Sequence, residues 1–295
     1  MNRWVKWSLL VLLILVLGLG ALIGTGLYQG ERRIARRIDL KVASVPLRDD
    51  AAAAGRGHYL FISRGCVECH GADGGGATLV DDGKGLKLAG PNLTLGNPRM
   101  AAYRPADWVR SIRHGVGSDG RALRLMPSED YSRLTDADLA SIVAYLRQMS
   151  PRSGNDDAIL ELPLPARVMY GLGAIPEAVT KIDHNLPPAQ PVPDGVTVEH
   201  GRYVAQMCAG CHGKELTGGK IPGAPPAWPA AARILPGKGS VMPRYQDAEV
   251  FVTMMRGGKR ADGSSITVMP FSSLKYLSDT DLRALHLYLL QLKAP

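Results

Sequence analysis

Cys66-Val67-Glu68-Cys69-His70 and Cys208-Ala209-Gly210-Cys211-His212 decide the reading of this 295-residue chain. The second stretch repeats the first 142 positions on, and all four cysteines of the chain lie in the two. C-x-x-C-H is the pattern that attaches a c-type haem. Two thiols add to the vinyl groups of the porphyrin, and the adjacent imidazole ligates the iron. Positions i, i+3 and i+4 share one helix face, so both sulfurs and the imidazole can address one macrocycle. Other uses of four cysteines fit less well. Zinc sites group their C-x-x-C pairs roughly 12–20 residues apart and need no histidine after each. A thioredoxin-like pair needs a βαβ context, which the sequence lacks, and two disulfides leave both histidines unexplained.

Working outward from the motifs, the two halves align. Asp119-Gly120 matches Asp262-Gly263 and Met126-Pro127 matches Met269-Pro270, both at a shift of 143. The same shift pairs Leu134 with Leu277, Asp138 with Asp281 and Tyr145 with Tyr288. Haem iron in such proteins is commonly held by His and Met. Met126 follows His70 by 56 residues and Met269 follows His212 by 57, enough chain to pass around a haem edge and return on its other face. We therefore expect His70 with Met126 and His212 with Met269 as iron ligands. Met100 and Met242, each 30 residues after their histidine, compete for that role, Met242 the more so because Pro243 follows it. His58, His114 and His286 are the remaining alternatives.

Each half resembles a class I cytochrome c domain: C-x-x-C-H near the start, a Gly- and Pro-rich stretch, a Met-Pro, then a closing helix. The resemblance covers residues 50–150 and 195–295. Gly90-Pro91-Asn92-Leu93-Thr94 looks like the family segment whose proline carbonyl accepts a hydrogen bond from the axial histidine. The second half departs from it with Gly223-Ala224-Pro225-Pro226-Ala227-Trp228, where Pro226 is the expected counterpart of Pro91. The resemblance implies two covalently bound haem c groups and a redox role.

Residues Trp7 to Gly30 carry no charge, and Leu9 to Leu27 is almost wholly apolar. About 20 such residues at ~1.5 Å each span ~30 Å, the hydrocarbon thickness of a bilayer. The run is longer than the core of a cleavable signal peptide and shows no A-x-A-like site, so it reads as a retained anchor over about 8–28. Trp4, Trp7 and Tyr28 stand where interfacial aromatics belong. Arg32, Arg33, Arg36 and Arg37 follow the span, and by the positive-inside rule alone they would put the bulk of the chain in the cytoplasm. The resemblance points the other way, because haem is attached to such motifs on the periplasmic side. The expectation is therefore an inner-membrane anchor with the haem domains in the periplasm, and the arginines against anionic head groups.

The closing helices are announced by Thr135-Asp136-Ala137-Asp138 and Ser278-Asp279-Thr280-Asp281, each an N-cap with an acid three residues on. Gly57 with Tyr59, and Gly201 with Tyr203, lie on helices entering the attachment motifs, where a small residue permits close packing against the closing helix. No segment alternates as a strand does, so the expected class is all-α. The divisions are an anchor and basic segment over 1–49, a first domain over 50–150, a linker over 151–195 and a second domain over 196–295. The linker holds eight prolines but is too apolar at Leu160, Leu162, Leu164, Val168, Met169 and Tyr170 to be free, and should pack across both domains.

Formal charge is +5 over 1–49, +1 over 50–150, −3 over 151–194 and +5 over 195–295, matching the total of +8. The basic second domain suits an acidic redox partner, or haem propionates beside Arg256, Lys259 and Arg260. No nucleic-acid motif or basic tract is present. The pattern is similar to cytochrome c subunits of membrane-bound alcohol or aldehyde dehydrogenases, which commonly carry a third haem. It implies electron transfer without substrate chemistry, between a membrane dehydrogenase or quinol-oxidising complex and an acceptor such as an oxidase. A diheme peroxidase is the enzymatic alternative. It requires an open iron position, against which the Met-Pro in both halves argues. A third reading has haem only as a staple of the fold.

Overall fold

The computed structural model describes residues 2–222, 224–225 and 227–293. It opens with α1 (Arg3–Ala35), 33 residues with a mean hydropathy of 2.6 in its most apolar window. Side chains from Leu9 to Leu19 are exposed, and none of the other described residues covers them. A helix of this length is ~50 Å long, enough to cross a bilayer and project beyond it. The arginines after the span do not all face outward. Arg36 pairs with buried Glu177 at 3.2 Å, Arg33 lies 3.8 Å from the same carboxylate, and Arg33 also stacks over the Tyr170 ring at 4.6 Å. Two of the four charges expected at lipid head groups are thus matched by a buried protein carboxylate.

The first half is built on α2 (Ala51–Ser63) crossing α7 (Asp136–Gln148). Gly57 makes this crossing possible, since a Cβ there would stand 1.9 Å from the Ser141 carbonyl oxygen. Between them come α3 (Cys66–His70), α4 (Pro98–Ala101), α5 (Pro105–His114) and α6 (Ser128–Tyr131). Leu60, Phe61, Trp108, Leu139 and Val143 form the core. The expectation of an all-α chain needs one correction here. β1 (Thr78–Asp81), β2 (Lys87–Ala89) and β3 (Ile159–Glu161) form a three-stranded antiparallel sheet in that order. The strands are three or four residues long, too short for alternation to register in the sequence. β1 follows directly from the attachment turn, where Ala77 N–H donates to the Cys69 carbonyl at 2.9 Å.

The linker supplies β3, α8 (Leu164–Gly171) and α9 (Ala178–Lys181). It packs mainly on the first half and on α1. Asn92 N–H donates to Asn155 O at 2.8 Å, Lys181 pairs with Glu129 at 2.6 Å, and His184 meets His114 at 3.0 Å. Contact with the second half comes at Asp194, which lies 3.8 Å from His200 and 3.5 Å from Arg56.

The second half repeats the crossing with α10 (Val198–Ala205) and α14 (Asp279–Gln291). A Cβ on Gly201 would stand 1.9 Å from the Ala284 carbonyl oxygen. α11 (Ala209–His212), α12 (Ala248–Gly257) and α13 (Phe271–Leu274) complete it around Met242, Phe251, Leu277, Leu282 and Leu285. The two halves meet through exchanged contacts. Tyr59 Oη donates to Asp281 at 2.6 Å and accepts from Ser278 N–H at 3.0 Å. Tyr203 Oη donates to Asp138 at 2.6 Å and accepts from Thr135 N–H at 3.3 Å. Each tyrosine therefore occupies the start of the other half's closing helix. It takes the N-cap amide that a capping box would give to the acid three residues on.

Candidate functional site

In the first half the helix leading in must stop before the attachment turn can form. Gly65, at φ 84°, ends it, and α3 restarts as a single turn carrying Cys66, Cys69 and His70. The loop returns close beneath: a Cβ on Gly90 would lie 2.0 Å from the Cys69 carbonyl oxygen. That approach places the Pro91 carbonyl 2.9 Å from His70 Nδ1. An Nδ1–H donating there fixes the ring and leaves Nε2 free to ligate. Burial lowers the His70 pKa and so favours the neutral imidazole, the form a metal requires.

A cavity of about 430 Å³ opens over this turn. Its lining brings together Cys66, Cys69, His70, Pro91 and Met126, with Phe61, Trp108 and Tyr131 as apolar walls and Arg99, Arg121 and Arg124 also on its boundary. Met100 lines the same cavity, so the first-half competitor is not removed from the site. His114 does not line it and pairs with His184 instead. His58 stacks with Tyr145, its ring 4.9 Å away.

In the second half, α11 carries Cys211 and His212 while Cys208 closes the preceding 3₁₀ turn, Gln206–Cys208. His212 Nδ1 lies 2.8 Å from a carbonyl, and that carbonyl belongs to Ala232. Pro226, the expected partner, falls outside the described residues. Nothing in the sequence singled out Ala232, because any residue offers a carbonyl and only the backbone path selects it. Met242 is 1% exposed in the second core, while Met269 is half-buried at its edge. His286 is engaged with the Tyr245 carbonyl at 2.7 Å.

The two Met-Pro turns share a backbone form. Pro127 has φ −80°, ψ 62° and Pro270 has φ −77°, ψ 64°. Met126 O accepts from Ser128 N–H at 2.9 Å and Met269 O from Phe271 N–H at 2.8 Å.

Each attachment turn also leans on the helix after the other half's Met-Pro. Glu68 accepts from the Ser272 hydroxyl at 2.6 Å, and from Ser273. Gly210 faces the Asp130 carboxylate, which a Cβ would meet at 2.4 Å. Burial pushes the Asp130 pKa up to about 7, with Glu129 adding to the rise. The variable positions of the two motifs are therefore an acid that reaches across and a glycine that makes room for one. Of the contacts between halves, the sequence singles out only the members Tyr59, Tyr203, Asp138 and Asp281, and not their pairing.

The donor set fits a covalently bound haem c and not a metal held by thiolates. No disulfide joins the four cysteines. Burial pushes the Cys66 and Cys208 thiols up to about 12 and raises Cys69 and Cys211. Among the described residues no three His, Cys, Asp or Glu side chains cluster to hold an ion.

An oriented histidine beside two cysteines on an apolar cavity is the arrangement of a cytochrome c domain. Residues 52–146 match the family model described as cytochrome c oxidase, cbb3-type, subunit III. The chain is similar to the fructose dehydrogenase cytochrome subunit of Gluconobacter japonicus, 27% identical over 79% of this chain and 51% of that one. It is also similar to the gluconate 2-dehydrogenase cytochrome c subunit of Pantoea cypripedii, 29% identical over 53% of this chain and 37% of that one. The cytochrome c subunit of the alcohol dehydrogenase (quinone) of Gluconacetobacter polyoxogenes is 26% identical over 42% and 28%. The matches thus span about half or less of these relatives' own lengths.

Proposed function

We propose that this chain is a membrane-anchored diheme cytochrome c that relays electrons on the periplasmic face of the inner membrane. The first haem would be held by Cys66, Cys69, His70 and Met126, and the second by Cys208, Cys211, His212 and Met269. The observation that carries the reading is the repeated imidazole geometry: His70 to Pro91 O at 2.9 Å and His212 to Ala232 O at 2.8 Å. The matched Met-Pro turns support Met126 and Met269 over Met100 and Met242. Bound haem supplies a one-electron couple, and Met ligation raises its potential. The chain's own part is to orient each imidazole, exclude water with an apolar wall and hold the two attachment turns against each other.

The donor would be a membrane dehydrogenase, as the names of the relatives suggest, or a quinol-oxidising complex. The acceptor would be a terminal complex such as an oxidase. The exposed apolar α1 supports confinement to the membrane. Mass spectrometry of the purified chain should give two covalent haem additions, and a redox titration should resolve two low-spin couples. A single addition at either motif would refute the diheme reading. Turnover of peroxide by the half-reduced protein would favour the peroxidase. Co-purification from detergent-solubilised membranes identifies the donor complex.

A further inference from the structure

We infer that α8 is a second membrane element, lying along the outer boundary of the bilayer with one apolar face in the lipid. The inference rests on the reading of α1 as a membrane span. Val168 packs on Gly26, and Gly171 fits between Gly26 and Gly30. A Cβ on Gly171 would lie less than 2 Å from the Gly26 carbonyl oxygen, so the two helices touch backbone to backbone. From Trp7 to Tyr28 is ~30 Å of helix, which puts Gly26 just inside the hydrocarbon boundary and Gly30 just outside it.

The helix is oriented as well as placed. Its side bearing Val168 meets Gly26, one turn closer to the bilayer than the side bearing Tyr170 and Arg167, which meets Gly30. Leu164, Val168 and Leu172 share that lower side at i, i+4 and i+8, with Met169 beside them. Leu164, Met169 and Leu172 are 49%, 49% and 43% exposed among the described residues. Above them Arg167 pairs with Glu31 at 3.7 Å and Arg33 stacks on Tyr170. A charged upper side and a bare apolar lower side are the arrangement of an interfacial helix. The occupant of the bare face is lipid, because that face is continuous with the lipid-facing surface of α1. A protein covering it would itself have to enter the membrane.

The full-length holoprotein in nanodiscs made with a phosphatidylcholine that carries a diazirine in its acyl chain provides the test. After photolysis, adducts should appear on α1 and on the peptide containing residues 164–172, at Leu164, Met169 or Leu172. Met169→Arg combined with Leu172→Glu should reduce the second set several-fold and leave the haem spectrum unchanged. Adducts on α1 alone would overturn the inference while leaving the anchor intact. Adducts on neither segment would remove the anchor reading, and this one with it. If the same residues in native membranes cross-link to a partner subunit instead of lipid, the face is a protein interface and the inference fails.

Discussion

Tyr59 Oη donates to Asp281 Oδ2 at 2.6 Å across the boundary between the halves, and the Asp281 carboxylate is the hub of that boundary. It also takes Arg64 at 3.1 Å and His200 at 2.7 Å, with all three partner groups buried or half-buried. Burial acts to raise the Asp281 pKa, but Arg64, Tyr59 and His200 outweigh it and hold the group below the usual carboxylate range. Its counterpart Asp138 receives Tyr203 and Arg56, and the Arg56 side chain is 27% exposed where that of Arg64 is 5%. Removing one partner of a buried pair costs about 3–5 kcal/mol, because the other charge is left uncompensated. Asp281→Ala should therefore destabilise the holoprotein by about that amount. Asp138→Ala should cost only about 1–2 kcal/mol, since water can reach Arg56. Denaturant titration followed by tyrosine or far-ultraviolet signals measures both; equal losses would mean the boundary is not organised around Asp281.

The helix crossings at Gly57 and Gly201 leave no room for a methyl group. Gly57→Ala and Gly201→Ala should each separate a pair of helices at a cost of about 1–3 kcal/mol and lower the yield of haem-loaded protein. Gly55 lies on the same helix as Gly57 with nothing within 4 Å of where its Cβ would be. Gly55→Ala should be neutral or stabilise by up to about 1 kcal/mol. Haem content per protein and thermal midpoints of the three variants check the contrast.

His184 gives its Nε2–H to the Val179 carbonyl at 3.0 Å, so its Nδ1 accepts from His114 Nδ1–H. Protonating both rings breaks that bond and places two like charges together. Burial, then His184 and Arg113, bring the His114 pKa from 6.5 down to about 4. The folded value lies below the unfolded one, so the contribution is complete above about pH 6.5 and is lost as pH falls toward 4. The pair is partly open to solvent, which limits the effect to about 1 kcal/mol, or roughly 2–4 °C. His184→Gln should flatten the thermal midpoint against pH between 4 and 6.5, and an unchanged slope would assign the acid sensitivity elsewhere.

If Met126 and Met269 ligate iron, each alanine substitution should halve the methionine–iron charge-transfer band of the oxidised protein and lower one of the two potentials. Met242→Ala should leave the band whole and destabilise the second core, where Met242 is buried, by about 2–5 kcal/mol. Loss of the band in Met242→Ala with its survival in Met269→Ala would reverse the assignment.

The sequence displayed what is local. The attachment turns, the Thr135 and Ser278 caps and the glycines of the helix crossings could all be read from spacing, and Thr135 Oγ1 and Ser278 Oγ indeed accept from Asp138 and Asp281 N–H at 3.0 Å. What could not be read depends on chain path. The Ala232 carbonyl is chosen by a loop, not by a side chain, and the short sheet draws one of its strands, Ile159–Glu161, from beyond the closing helix. The acids Asp138 and Asp281 were legible as capping residues, yet their stronger engagement is with tyrosines 65 and 222 positions away.

The exchange of Tyr59 and Tyr203 has a bearing on lineage and assembly. An interface in which each partner gives the other the same group is isologous, the form a two-fold homodimer takes. Here both members are covalently joined, so the pairing is intramolecular and independent of concentration. Joined copies also no longer need to be identical. Residue 68 is an acid where residue 210 is glycine, and Arg56 stands where the other half has His200. The tether makes the pair directional, because only the first half follows directly on α1.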